Sequence, residues 1–261
     1  MASYASYKKI TNDNIIDGSI PQAAISNSAL ASWNILWIWP EPCACSTGRC
    51  CLWTVPSGVT RVYFEAWGAG GSGHGACSCN RCHHYQGAGG GYYVAKSITT
   101  APGCQYTICA GGNSNCCSFE CIGCYGCTSY VNGFNLSNFC AIGGAPGCAN
   151  TDWSTACNTV WSCCLGPNDN GADFGMGNHT GMFSNNNLGI CHCWMIETHS
   201  TGAPFIGANV TYRLNCCWMR CGCWTVPYGA GGQGAMTQLC GTSCCGQGGM
   251  GGPGLVKVTY F

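Results

Sequence analysis

The sequence writes Gly-Ala-Gly-Gly three times, at 68–71, 87–90 and 229–232. A backbone this poor in side chains loses more conformational freedom on folding than any other, and it buries almost no apolar surface in return. Such a chain folds only if something else restrains it. None of the three runs opens a helix in the way a phosphate-binding G-x-G-x-x-G or G-x-x-x-x-G-K-[ST] loop must. They read instead as close-packed turns or polyproline-II-like glycine strands.

Cysteine is the obvious restraint. The chain carries 28 cysteines and 41 glycines in 261 residues, while charged residues make up only 7%, against roughly 25% in ordinary soluble domains. Lysine plus arginine balance aspartate plus glutamate to a net charge of zero, so no electrostatic footprint for nucleic acid or an anionic membrane is present. The longest greasy stretch, WNILWIWP at 33–40, is far short of the roughly 20 residues of a membrane span, and no membrane insertion is expected. The start, MASYASYKKITNDNII, has no apolar region after its lysines and does not read as a secretory signal. Cysteine above about 10% ordinarily marks a disulfide scaffold in an oxidising compartment. The two facts conflict unless the protein leaves its cell by lysis or by another route, or holds metal through its thiolates.

The punctuation around those cysteines repeats. RCCLWTVPSG at 49–58 and RCGCWTVPYG at 220–229 share the frame R-C-x-x-W-T-V-P-x-G. In each, Pro fixes φ, Gly permits a turn, Trp supplies apolar bulk and Cys ties down the approach. Only the first copy leads into a regular strand, so the frame is a repeated corner and not a duplicated domain.

Strand periodicity is clear in VTRVYFEAWG (59–68), which sets Val62, Phe64 and Ala66 on one face and Arg61, Tyr63, Glu65 and Trp67 on the other. GYYVAKSIT (91–99), CQYTICAGG (104–112) and LVKVTYF (255–261) pass the same test, with APG (101–103) a turn between the first two. Helical periodicity is missing from 43 to 261. The expected fold is therefore all-β, a Gly-rich β-sandwich-like body with long disulfide-stapled loops and a short N-terminal attachment segment. Residues 1–40 are assigned as that attachment or oligomerisation segment, with a short helix started by Ser19 or Pro21. Residues 41–261 form the cysteine- and glycine-rich β domain. The middle, about 113–223, is rich in Asn, Ser, Gly and Cys with few strand-like runs.

The even cysteine count permits complete pairing. Disulfide candidates are Cys43, Cys45, Cys50, Cys51, Cys104, Cys109, Cys116, Cys117, Cys140, Cys148, Cys157, Cys163, Cys164, Cys216, Cys217, Cys221, Cys223, Cys240, Cys244 and Cys245. Adjacent members such as 50/51 and 244/245 are expected to reach different segments, because a bridge between neighbours strains the peptide. Metal is the competing use. CSCNRCHH offers Cys77, Cys79, Cys82 and His83 with a C-x-x-C step suited to zinc. CIGCYGC sets Cys121, Cys124 and Cys127 at an iron–sulfur-like spacing but lacks the fourth ligand, Val131 standing where it would fall. Cys191 and Cys193 are further candidates. No G-x-S-x-G, paired-carboxylate or Cys-His nucleophile pattern is present, so no catalytic residue is assigned and no enzyme activity or resident cofactor is expected. Ten Trp and twelve Tyr among Asn, Ser and Gly supply either a binding surface or plugs for a small core.

WTVPSGVTRVYFEAWGAGGSG at 53–73 and GGPGLVKVTYF at 251–261 resemble the bracket of the glycine-rich domain of phage tail fibres and related virion appendages. With its cysteine clusters and its start, the chain is similar to cysteine-rich virion proteins of marine cyanobacterial phages. The resemblance implies a virion structural protein, a tail fibre or appendage subunit that takes part in particle assembly and host attachment and is released by host lysis. It further implies a likeness to homotrimeric fibres, contact with other virion proteins through the N-terminal segment, and a host cell-surface receptor. The cysteine load departs from ordinary members. A metal-binding protein, with zinc or an iron–sulfur cluster, is the alternative expectation, and a secreted disulfide-rich adhesion module the third.

Overall fold

In the computed structural model of the chain the described residues are 34–40, 48–77, 83–84, 88–114, 123–147, 171–177, 183–184, 196–200, 204–205, 210–214, 228–232, 236–237 and 245–261. Among them every regular element is a strand. In chain order these are β1 (Ile35–Ile38), β2 (Arg49–Thr54), β3 (Arg61–Trp67), β4 (Ala76–Cys77), β5 (His83–His84), β6 (Tyr93–Thr99), β7 (Gln105–Ala110) and β8 (Ser129–Gly133). They continue as β9 (Leu136–Ala141), β10 (Phe174–Met176), β11 (Phe183–Ser184), β12 (Ile196–Ser200), β13 (Val210–Leu214), β14 (Met236–Thr237), β15 (Cys245–Gly246) and β16 (Leu255–Tyr260). The all-β expectation holds.

Two antiparallel sheets make the sandwich, one ordered β1-β16-β3-β6-β10 and the other β2-β7-β8-β9. The alternation read in 59–68 sets the first inner face: Val62, Phe64 and Ala66 are buried, joined by Val94, Ile98, Val256 and Val258. Tyr106, Ile108, Val131, Phe139 and Ala141 from the second sheet complete the same core. Phe64 bridges the layers, its ring 5.1 Å from Tyr106 and 6.4 Å from Phe139. The Tyr106 hydroxyl stays satisfied inside this core, donating to the Phe134 carbonyl at 3.0 Å and sharing a 2.9 Å hydrogen bond with Thr100, as a buried hydroxyl must. Trp53 of the first R-C-x-x-W-T-V-P-x-G frame packs beside Tyr260 and Tyr106, at 5.3 and 5.9 Å. This tryptophan is a plug. The closing glycine of both frames has the left-handed φ the turn needs, +85° at Gly58 and +68° at Gly229; the rest of the second copy, up to residue 227, lies outside the described residues.

The structure adds three features to the sequence reading. The APG turn stands between β6 and β7 as read, but β6 belongs to the first sheet and β7 to the second, so the chain crosses between layers there. WNILWIWP yields β1, which pairs with β16 and extends the first sheet. The middle segment contributes a hairpin, β8 and β9, through Val131, Leu136 and Phe139, with Asn135 at φ +53° in its turn. Exposed Asn132, Asn135, Ser137 and Asn138 around the buried Val131, Leu136 and Phe139 mask that alternation. The N-terminal helix expected near Ser19 and Pro21 lies outside the described residues.

Beyond the sandwich the strands run on into glycine. Along the central run 68–73, successive N–H groups donate to three neighbours in rotation. Gly68 and Gly71 donate to Tyr92 and Gly89, Ala69 and Ser72 to Cys127 and Cys124, and Gly70 and Gly73 to Gly252 and Gly249. A direction that recurs every third residue is the signature of a polyproline-II helix, with about three residues per turn and no internal hydrogen bonds. Carbonyls of the same run accept from two more neighbours, Ala69 from Gly144, Ser72 from Gly147 and Gly71 from Gly232. The central run therefore sits among five others, and peptide groups that water would otherwise satisfy are satisfied by backbone. The polyproline-II-like reading of the GAGG runs is the one the structure adopts at 68–71, whereas the run at 229–232 opens on the turn glycine Gly229.

Glycine is required there by proximity. A Cβ built on Gly70 would overlap the Ala230 carbonyl, and one on Gly126 the Ala69 carbonyl; backbone cannot step aside as a flexible side chain can. The two regions are joined by Ser129, whose buried hydroxyl donates to the Trp67 carbonyl at 2.7 Å and accepts from Gly111 N–H at 2.9 Å.

Candidate functional site

Two surfaces carry the side chains with chemistry. The first is the outer face of the β1-β16-β3-β6-β10 sheet, formed by the residues that alternate with the core. Register places Trp37 opposite Lys257, Lys257 opposite Glu65, Glu65 opposite Ala95, and Ala95 opposite Phe174. Lys257 Nζ lies 2.7 Å from Glu65 Oε2 and 5.5 Å from the Trp37 ring centroid, a geometry suited to cation–π attraction. The other carboxylate oxygen, Oε1, accepts from the Tyr93 hydroxyl at 2.9 Å. Both oxygens of Glu65 are thus used. Burial foremost, then the hydrogen bond to Glu65, holds the Tyr93 hydroxyl protonated well above the ordinary tyrosine range.

Around this polar line the face is aromatic. Tyr93 contacts Trp67 at 4.9 Å, Phe205 at 4.9 Å and Phe174 at 6.0 Å. Trp67 Nε1 donates to the Pro204 carbonyl at 2.7 Å. Trp37, Phe174, Met176 and Phe205 keep large exposed areas. The face thus sets an apolar rim on strands around an ion pair already satisfied internally. Among the described residues of this face no nucleophile stands beside a base.

The second surface is sulfur. Cys50 of β2 and Cys109 of β7 are register partners and form a disulfide, with Cα atoms 4.0 Å apart and a sequence separation of 59. The adjacent Cys51 turns the other way and packs against the core, as expected for neighbouring cysteines on a strand. Cys51 keeps its thiol. Burial, outweighing the nearby Arg49, pushes that thiol's pKa up, which makes it a poor nucleophile. Cys104, also a thiol, packs at the same core edge, and Cys140 lies on β9.

Of the metal candidates, Cys124 and Cys127 sit on the run 123–127 that flanks the central glycine run, anchored by Cys124 N–H to Ser72 Oγ at 2.6 Å. The C-x2-C step matches the three-residue period of such a run, which lines both cysteines along one exposed side, about 9 Å apart for a rise of about 3.1 Å per residue. Among the described residues no three His, Cys, Asp or Glu side chains are grouped to hold a metal. Cys77, His83 and Cys245 are placed by backbone on β4, β5 and β15. Cys43, Cys45, Cys79, Cys82, Cys116, Cys117, Cys121, Cys148, Cys157, Cys163, Cys164, Cys191, Cys193, Cys216, Cys217, Cys221, Cys223, Cys240 and Cys244 lie outside the described residues. The polar line Trp37–Lys257–Glu65–Tyr93 was missed in the sequence, although alternation alone had set Tyr63, Glu65 and Trp67 on one face.

A model of a glycine-rich domain family matches residues 45–212. A search of curated proteins finds no match to the chain.

Proposed function

On the premise that the chain belongs to the glycine-rich domain family, we propose that it is a structural protein of a phage particle, a tail fibre or appendage subunit serving assembly and host attachment. The observation that carries the reading is the pair of segments 53–73 and 251–261, which resemble the bracket of virion glycine-rich domains and which meet here along the central run. A body whose described elements are all strands and whose glycine runs satisfy one another's backbone groups suits a rigid spacer. The exposed aromatic rim of Trp37, Phe174, Met176 and Phe205 suits a contact with a host surface receptor. In this reading the protein does no chemistry of its own, assembles as a homotrimer docked on other virion proteins by the N-terminal segment ahead of β1, and acts outside the cell after lysis.

The test is to purify particles from a lysate of producing cells and probe them with antibody to this chain. Co-sedimentation with intact particles, gold label on an external appendage, and a light-scattering mass of three chains for the purified protein are the expected results. A chain left in the soluble fraction, with the mass of one copy, overturns the reading. A stoichiometric zinc content, or iron with visible absorption, would instead establish the metal-binding alternative.

A further inference from the structure

The pairing of the central run with the C-terminal run never slips. It begins in the sandwich, where β3 pairs β16 from Val62↔Tyr260 to Trp67↔Leu255. It passes through the glycine bundle as Gly70 to Gly252 and Gly73 to Gly249. It emerges on the far side as the ribbon of β4 and β15, Ala76↔Gly246 and Cys77↔Cys245. At each step one residue forward on the first segment is matched by one residue back on the second. Close approach pins this register at Gly70 and Gly251, where a Cβ on Gly251 would overlap the Gly70 carbonyl.

We infer that Cys77 and Cys245 are joined by a disulfide that clasps the far end of this ladder. The inference rests on backbone placement: the two cysteines are direct partners across an antiparallel pair, as are Cys50 and Cys109, the pair already bonded on the other sheet. Partners in that position bring Cα atoms to about 4.5–5.5 Å, within the range a disulfide spans. In this register Cys245 is the residue matched to Cys77, just as Cys50 of the pair 50/51 is matched to Cys109. Cys77 thereby leaves the zinc-like cluster CSCNRCHH. In forming the bridge each thiol gives up its proton, one S–S bond is made, and the two electrons pass to dissolved dioxygen or to a low-molecular-weight disulfide in the medium.

The test uses the full chain, purified under air with free thiols alkylated before digestion, and reads the cross-linked peptides by fragmentation. A peptide pair joining Cys77 to Cys245 is expected. Cys77→Ser should add one alkylated thiol, at Cys245, and Cys245→Ser one at Cys77, whereas Cys79→Ser should leave the bridge in place. Alkylation of both residues in the oxidised wild type, a bridge from Cys77 to any other cysteine, or protection that is lost on adding a chelator would each overturn the inference. Should either serine variant fail to fold, the wild-type peptide map alone decides.

Discussion

The sandwich and the glycine bundle belong to one chain but are held by opposite means. In the sandwich, side chains do the holding: Phe64, Tyr106 and Phe139 fill the space between sheets, and the backbone pairs within each layer. In the bundle the backbone does it, and the requirement on the side chain is that it be missing. Where a core tolerates a smaller residue at the cost of a cavity, a close-approach glycine of the bundle tolerates no larger one, as at Gly70, whose neighbour is the Ala230 carbonyl. Packing density and hydrogen-bond satisfaction are separate constraints in the first region and a single constraint in the second.

The sharpest way to break this comparison is Gly70→Ala, which pushes a methyl into fixed backbone. A loss on the order of 4 kcal/mol or more is expected, read by chemical denaturation, in the class of the largest single-site effects. Gly103→Asn serves as its counterpart, since Gly103 has φ +85° but open space around its Cβ position. That change should cost under about 1 kcal/mol, because Asn tolerates the left-handed region. If the two substitutions cost the same, close approach is not what selects glycine in the bundle. Next in size, Phe64→Ala should cost about 3–5 kcal/mol by cavity formation in the sandwich, and a Tm that hardly moves would mean the bundle alone carries stability. Cys50→Ser, opening the bridge to Cys109, should cost about 2–4 kcal/mol, with the same loss when wild type is reduced at that bridge.

The smallest effect concerns pH and sharpens the bundle side. His74, buried beside the run 68–73 with its ring nitrogen against the Gly75 carbonyl, has its pKa lowered, by burial above all. A histidine whose folded pKa lies below its unfolded value near 6.5 contributes fully above that value. As pH falls below about 6.5 the unfolded chain takes up a proton that the folded one refuses, and stability drops. Melting temperature should therefore decline from pH 7 to 5, and His74→Gln should flatten that slope.

What the sequence discloses follows the same division. Side chains that alternate announce themselves, so β3, β6, β7 and β16 were legible from Val62, Phe64 and their counterparts. The crossing at Ala101–Gly103 was not, because a turn fixes local direction without saying which sheet the next strand joins. The hairpin of β8 and β9 hid behind asparagines that carry no apolar signal. Glycine runs left turn and polyproline-II helix both open and did not name their neighbours, since backbone-to-backbone recognition leaves no pattern of residue types to read. The disulfide between Cys50 and Cys109 could be counted among candidates, but its pairing waited on register. The aromatic face was half legible: alternation set Glu65 and Trp67 together, whereas Lys257 and Tyr93 arrive from strands far away in sequence.

One consequence of the glycine bundle concerns temperature. Unfolding a region held by peptide groups hydrates mostly polar surface, which lowers heat capacity, at about −0.26 cal/K/mol per Å², where apolar surface raises it by about 0.45. The whole chain should then unfold with a heat-capacity increment below the roughly 12–15 cal/mol/K per residue of ordinary domains. Its free-energy dome is correspondingly broad, and the molecule gives up little of its stability in cold water.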